Sequence, residues 1–150
     1  MAIDILSHRD PKVATDILKI QQESYAVEAE LINFSDIPPF RDSVQSIVEN
    51  DETFIGYMIE EKIVGVLAYK EEQEEIDIYR MMVDPAYFRR GIGESLLKHL
   101  FATMPNKPVV VQTGKGNEPA VNLYLKYGFE PVDEVEVEPD VWIVMMKKAQ

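Results

Sequence analysis

The sequence predicts an α/β (α+β) fold, one mixed sheet with helices on its faces, in the order β-α-α-β-β-β-α-β-α-β-β. Three observations predict it. Alternating, strand-like segments cluster between two early helical stripes and the proline at position 85. Two further helical stripes come later, each with its own start or stop signal. Between those two lies "KPVVVQT", a short and fully apolar segment of the kind found in a sheet interior. No repeat or linker interrupts the 150 residues, so a single domain over 1–150 is expected, large enough for a real core.

The elements follow in order. Ile3 and Ile5 alternate in "ILSHRD", a short first strand. Asp10 before Pro11 is a helix entry, a cap residue followed by proline at the first helical position. Val13, Ile17, Ile20 and Leu31 recur at roughly helical spacing, and the helix is expected to run to about Glu30. "NFSDIPPF" breaks it. A second helix is expected from about Phe40 to Val48, with Phe40, Val44, Ile47 and Val48 on one face. "TFIGYMIE" and "IVGVLAYK", separated by a short "EK" turn, read as a hairpin. After the acidic turn "EEQEE" comes "IDIYRMMV". Here Ile76 and Ile78 share one face and Met81 and Val83 fall on the other. Either a β-bulge or burial on both faces accounts for that slip. A helix then opens at the glycines after Arg90 and ends near Met104. "GKGNEPAVNLYLKYGF" reads as a loop and a helix, with Pro119 in its first turn and Gly128 as its C-cap. "EPVDEVEV" and "VWIVMMKK" close the chain as strands.

Composition narrows the function. There is no cysteine, which excludes disulfides, thiolate metal sites and a cysteine nucleophile. Only His8 and His99 supply imidazole, so no metal site is expected. The net charge of −12 repels nucleic acid, whose binding depends on neutralising phosphates. No apolar run reaches membrane-spanning length, and the first residues lack the basic and apolar regions of a signal peptide. A cytoplasmic protein is expected. The charge is unevenly spread. From Pro85 to Tyr127 the balance is +4, against −16 for the remainder. One segment suits an anion, and the rest suits a cation.

The cationic segment holds "YFRRGIGESLL", residues 87–97, with Gly91 and Gly93 where a helix begins. Glycine in a helix costs about 1 kcal/mol relative to alanine, so something must offset it. A dinucleotide-binding fingerprint would need a third glycine or alanine where Leu96 stands. A P-loop would need Gly-Lys-Ser/Thr, which "GIGESL" does not supply. The general logic survives. Free N–H groups and the positive end of the helix dipole hold a phosphate, and glycines let it come close. Arg89 and Arg90 add two cationic side chains.

"VDPAYFRRGIGESLL" resembles motif A of the GNAT superfamily of acyl-CoA-dependent N-acetyltransferases, a strand followed by Val-x-Pro, an aromatic, Arg/Gln-x-x-Gly-x-Gly/Ala and an apolar helix. "GNEPAVNLYLKYGF" resembles its motif B, Asn-x-x-Ala-x-x-Leu-Tyr-x-x-x-Gly-Phe. The resemblance covers nearly the whole chain. It departs at Phe88, where the family has Arg or Gln, leaving open which arginine touches a phosphate. The fold it implies is a mostly antiparallel sheet of six to seven strands flanked by about four helices.

It also implies a site. Phe88, Arg89, Arg90, Gly91, Ile92, Gly93 and Glu94 would wrap the pyrophosphate of the co-substrate acetyl-CoA. Met81, Met82 and Val83 would offer backbone to its pantetheine arm, with a β-bulge splaying the sheet there. Asn117 would contact the same cofactor. Tyr124 matches the family's acid, although as a core aromatic it could simply pack near Phe129. Asp77 aligns with a catalytic glutamate of some members, while Gln112 stands where others carry a glutamate. Glu28 and Glu30 lie near the region that shapes the acceptor site in relatives and could hold a cationic acceptor, although the plainer expectation for both is solvated surface. The implied reaction moves an acetyl group to a primary amine of a small molecule or protein, by direct attack in a ternary complex. The charge balance favours a cationic acceptor, and a homodimer is an option common in the family. The alternative is a non-catalytic acyl-CoA-binding sensor.

Overall fold

A computed structural model describes residues 2–32, 42–104 and 106–149. Its elements are β1 (Ala2–Ile5), α1 (Pro11–Ile32), α2 (Val44–Val48), β2 (Thr53–Ile59), β3 (Lys62–Glu71), β4 (Ile76–Val83), a 3-10 turn (Pro85–Tyr87), α3 (Ile92–Thr103), β5 (Val109–Gly114), α4 (Glu118–Lys126), β6 (Glu130–Glu138) and β7 (Val141–Lys148). The order matches the sequence reading. The strands form one seven-stranded sheet, β1-β2-β3-β4-β5-β7-β6. Every pairing is antiparallel except β4 with β5.

Two cores sandwich the sheet. On one face α3 sets Leu96, Leu97 and Leu100 against Leu67, Ile78 and Val111, with Tyr124 and Phe129 beside them. On the other, Ile17 and Ile20 of α1 and Ile47 of α2 cover Phe54, Val66 and Met82. The signals for the helix ends act as expected. Asp10 Oδ1 accepts the Lys12 N–H at 3.0 Å and its carbonyl accepts that of Ala14 at 2.9 Å. Gly128, at φ +92°, ends α4.

Three local readings shift. The β2–β3 turn is Glu60–Glu61, not Glu61–Lys62, because Lys62 already pairs with Ile59. Both turn residues have positive φ, 49° and 68°, as a two-residue hairpin with the right twist requires. Helix α2 begins at Val44 because Ser43 and Ser46 cap each other's backbone N–H at 3.1 and 2.8 Å; Phe40 lies outside the described residues. Ile5 is 73% exposed at the end of an edge strand, and the next residue, Leu6, turns into the α1 core instead.

The phase slip in β4 is a bulge. Ala68 pairs with Arg80 and Tyr69 with Ile78, so Tyr79 is the unpaired extra residue. Before it, Ile76 and Ile78 face the α3 core. After it, Met81 and Val83 do, while Met82 turns to the α1 core. Pairing between β4 and β5 stops at the same place, at Ile78 with Val111. The remaining lengths of the two strands part, and the sheet is open between them.

Candidate active site

The opening lies directly upstream of the glycine segment. After β4, Asp84 accepts the Ala86 N–H at 3.0 Å and caps the 3-10 turn. Arg89 and Gly91 then take left-handed φ of 64° and 74°, with Arg90 between them. Left-handed residues alternating with ordinary ones turn successive N–H groups toward one point, an anion-binding nest. Gly91 needs to be glycine for its own φ. Arg89 holds the same conformation with a side chain, at a strain of about 1–3 kcal/mol. The first bond of α3 runs from the Ser95 N–H to the Gly91 carbonyl at 2.9 Å. The N–H groups of Ile92, Gly93 and Glu94 precede it and aim out of the helix end.

Gly93 is the informative residue. A methyl group there would meet Leu123, Val83 and Met81 only at 3.8–3.9 Å, an ordinary contact. Neither packing nor backbone requires glycine at this position. Gly65 contrasts with it. A Cβ on Gly65 would lie 2.6 Å from Ile92, so glycine is what seats the start of α3 on the sheet.

The predicted residues divide into backbone and side-chain roles. Ile92 is buried as the anchor of α3, and the Met82 side chain is buried on the α1 face, leaving only their backbone toward the opening. The Glu94 side chain joins α3 to α4 by binding Lys126 at 3.1 Å and accepting from the Tyr127 hydroxyl. Those two partners hold its carboxyl below the usual range. Phe88 is exposed. The Arg90 guanidinium rests over the Tyr87 ring at 5.0 Å. Neither Arg89 nor Arg90 makes an ion pair among the described residues.

Where β4 and β5 part, a small cavity of about 80 Å³ is lined by residues of α1, β4, β5 and α4. Tyr124 and Asn117 reach it from α4, as expected. Asn117 is the N-cap of that helix, its Oδ1 accepting the Ala120 N–H at 3.3 Å. Tyr124 is buried and packs at 5.3 Å on Phe129, so the core contact and the site position coexist. Burial first, then the nearby Tyr25 and Glu28, push its phenol far up. It stays protonated at every physiological pH.

Glu28 corrects the sequence reading. It is half-buried, unlike the exposed Glu30. It reaches across to Asn117, the Gly114 backbone and Thr113, whose Oγ1 is 3.4 Å away. Burial raises its carboxyl above the ordinary range, and those hydrogen bonds only partly counter it. Tyr25, three residues earlier on the same helix face, hydrogen-bonds the Met81 backbone, and burial raises its phenol as well. Thr113 and Tyr25 were not singled out from the sequence, and Glu28 only as a residue near the acceptor site, because their partners are remote in the chain. Asp77 is elsewhere. It lies with Glu72, Gln73, Glu74 and Glu75 around a separate recess and does not line the cavity at Tyr124. Burial, then Glu75 and Glu72, raise its carboxyl too.

Among the described residues no helix is long and apolar enough to cross a membrane. The model of the acetyltransferase (GNAT) family matches residues 14–129. The UPF0157 protein YqkA of Bacillus subtilis (strain 168) is 34% identical over 135 residues, 89% of this chain but 39% of YqkA. The chain thus spans about two fifths of that relative's length. Two solved structures share the fold. The ribosomal-protein-S18-alanine N-acetyltransferase of Escherichia coli superposes with a TM-score of 0.78 at 17% identity, over 98% of this chain and 92% of that one. The PaiA N-acetyltransferase of Thermoplasma acidophilum, in complex with coenzyme A, superposes with a TM-score of 0.78 at 20% identity over 100% of both.

Proposed function

We propose, from the premise that this chain belongs to the GNAT family of acetyltransferases, that it moves an acetyl group from acetyl-CoA to a primary amine by direct attack in a ternary complex. The observation that carries the reading is Gly93, a helix-start glycine that neither packing nor φ demands, beside an opening in the sheet. The N–H groups from Gly91 to Glu94 hold the pyrophosphate, and Arg89 and Arg90 add charge. The unpaired edge of β4 at Met81–Val83 takes the amide-bearing arm as an added strand.

When bound, acetyl-CoA supplies a thioester carbonyl open to attack and a thiol as leaving group. The rest falls to side chains. An alkylamine of pKa near 10.4 is about 99.9% protonated at pH 7, and freeing its lone pair costs roughly 4–5 kcal/mol. Glu28 takes that proton. Its raised pKa makes it a better base than an ordinary carboxylate. Asn117 and Thr113 orient it. Tyr124 donates a hydrogen bond to the departing sulfur. Full transfer from an ordinary phenol to a thiolate of pKa near 8.5 is uphill by about 2 kcal/mol, and burial steepens that. Tyr124 therefore stabilises the thiolate more than it protonates it. The acidic remainder of the chain suits a cationic acceptor, and the expected setting is the cytoplasm.

The test is the thermal midpoint with acetyl-CoA, CoA or NAD, followed by thiol release in an amine screen. A ligand at about 100 times its Kd adds roughly 2.7 kcal/mol, several degrees for a domain of this size. A shift with the CoA ligands alone, followed by thiol release, supports the reading. A shift without turnover marks the sensor instead, and no shift defeats both.

A further inference from the structure

A second recess, of about 190 Å³, lies on the outer strands. It is lined by Gln112, Asp133, Val135, Val137, Ile143 and Met145. Gln112 also lines the cavity that holds Glu28 and Tyr124, so the two adjoin at that residue. The pairing explains the shape. Gln112, Met145 and Asp133 stand in register as one row across β5, β7 and β6, with Ile143 and Val135 forming the next. On β7 the alternate residues Val144 and Met146 enter the α3 core, so Ile143 and Met145 face the other way.

This recess differs from its surroundings in charge. Strand β6 carries Glu130, Asp133, Glu134, Glu136 and Glu138, yet only Asp133 of these lines it. Val135 and Val137 are 55% and 46% exposed there. An apolar patch beside a polar, charge-bearing cavity suits a ligand with the same division. We propose that the acceptor is a primary amine carried on an apolar alkyl or aryl body, with the body on Met145, Ile143, Val135 and Val137 and the amine at Glu28. This rests on the acetyl-transfer reading and narrows it. A polycation would leave the apolar row uncovered and lie along the glutamates of β6.

The test compares kcat/KM for hexylamine and 2-phenylethylamine with that for putrescine and ethanolamine, in the wild type and in Val135→Asp. The expected preference for the apolar amines is about tenfold or more, since one methylene in an apolar pocket already discriminates to about that degree. Val135→Asp removes the preference, bringing the apolar amines to the level of ethanolamine. Equal or reversed rates overturn the proposal while leaving acetyl transfer standing. If no amine is turned over, calorimetry with hexylamine in the presence of CoA decides. Binding that Val135→Asp abolishes upholds the recess as an amine site and removes the acetyl-transfer reading, and absence of binding overturns the proposal. Light scattering supplies the last arm. A wild-type dimer that Val135→Asp makes monomeric assigns the recess to a second copy and overturns it.

Discussion

Helix α1 carries two buried polar centres about one turn apart, and they are built on opposite terms. The first surrounds Arg80. Its guanidinium binds Glu52 at 3.1 and 3.3 Å, Asp42 at 2.8 Å and Gln21 of α1 at 2.7 Å, and it lies 5.3 Å from the centre of the Phe54 ring. The second is Glu28 with Tyr25, Thr113, Asn117 and Tyr124. In the first, burial alone would lower the arginine's pKa, but the facing carboxylates more than reverse that and hold it above its usual value. In the second, burial wins, and the carboxyl is raised. Both centres face β4 around its bulge, one at Arg80 and the other at Met81. The first is a closed set of bonds that ties α1, the entry to α2, β2 and β4 together. The second leaves a carboxyl buried against hydroxyls and amides, a state that costs stability and suits proton transfer.

The difference is tested by breaking each centre. Glu28→Gln is expected to cut acetyl transfer by about 10²–10⁴-fold, the usual share of a general base, with acetyl-CoA affinity retained. Its rate should also lose the acid limb of the pH profile. Asp77→Asn beside it separates the two candidate bases, since only the true base removes that limb. Next in size, Arg80→Leu leaves the buried Glu52 and the half-buried Asp42 without their cation. It should destabilise by about 3–5 kcal/mol, read as a lower urea midpoint. Tyr124→Phe removes only a hydrogen-bond donor. A drop in turnover of about tenfold to a hundredfold at unchanged CoA affinity is expected, matching a loss of roughly 1.5–3 kcal/mol.

The smallest effect has the most telling sign. The folded pKa of Glu28 is raised, so its stabilising share is present below the unfolded value and lost as pH rises through the folded one. Glu28→Gln should therefore raise the melting temperature at neutral pH, and the gain should shrink toward pH 4. A variant that lowers it at neutral pH would place Glu28 with Arg80 among the structural groups.

The same contrast explains what the sequence disclosed. Periodicity, caps and the apolar β5 segment are local signals, and the element order followed from them. The slip between Ile78 and Met81 was visible as a phase change, although only pairing identified Tyr79 as the extra residue. The glycine segment and the Asn117–Tyr124 helix were legible because each is one continuous stretch. Glu28 was not. Its bond to Thr113 spans 85 positions, and a glutamate near a helix end looks like any solvated one. Arg80 and Gly65 were missed for the same reason. One needs Glu52, Asp42 and Gln21 to be seen together, and the other needs Ile92.

The central claim is that the bare surface at Gly93 exists for a phosphate-bearing ligand. The most direct measurement is calorimetric titration of acetyl-CoA into the wild type and Gly93→Ala, with the unliganded melting temperature of each. Alanine is favoured over glycine in a helix by about 1 kcal/mol, and its Cβ meets nothing closer than 3.8 Å, so the variant should melt no lower than the wild type. The account predicts that the variant loses at least about tenfold in affinity, or 1.4 kcal/mol. Equal affinity in the two proteins, or no binding to the wild type, would contradict it.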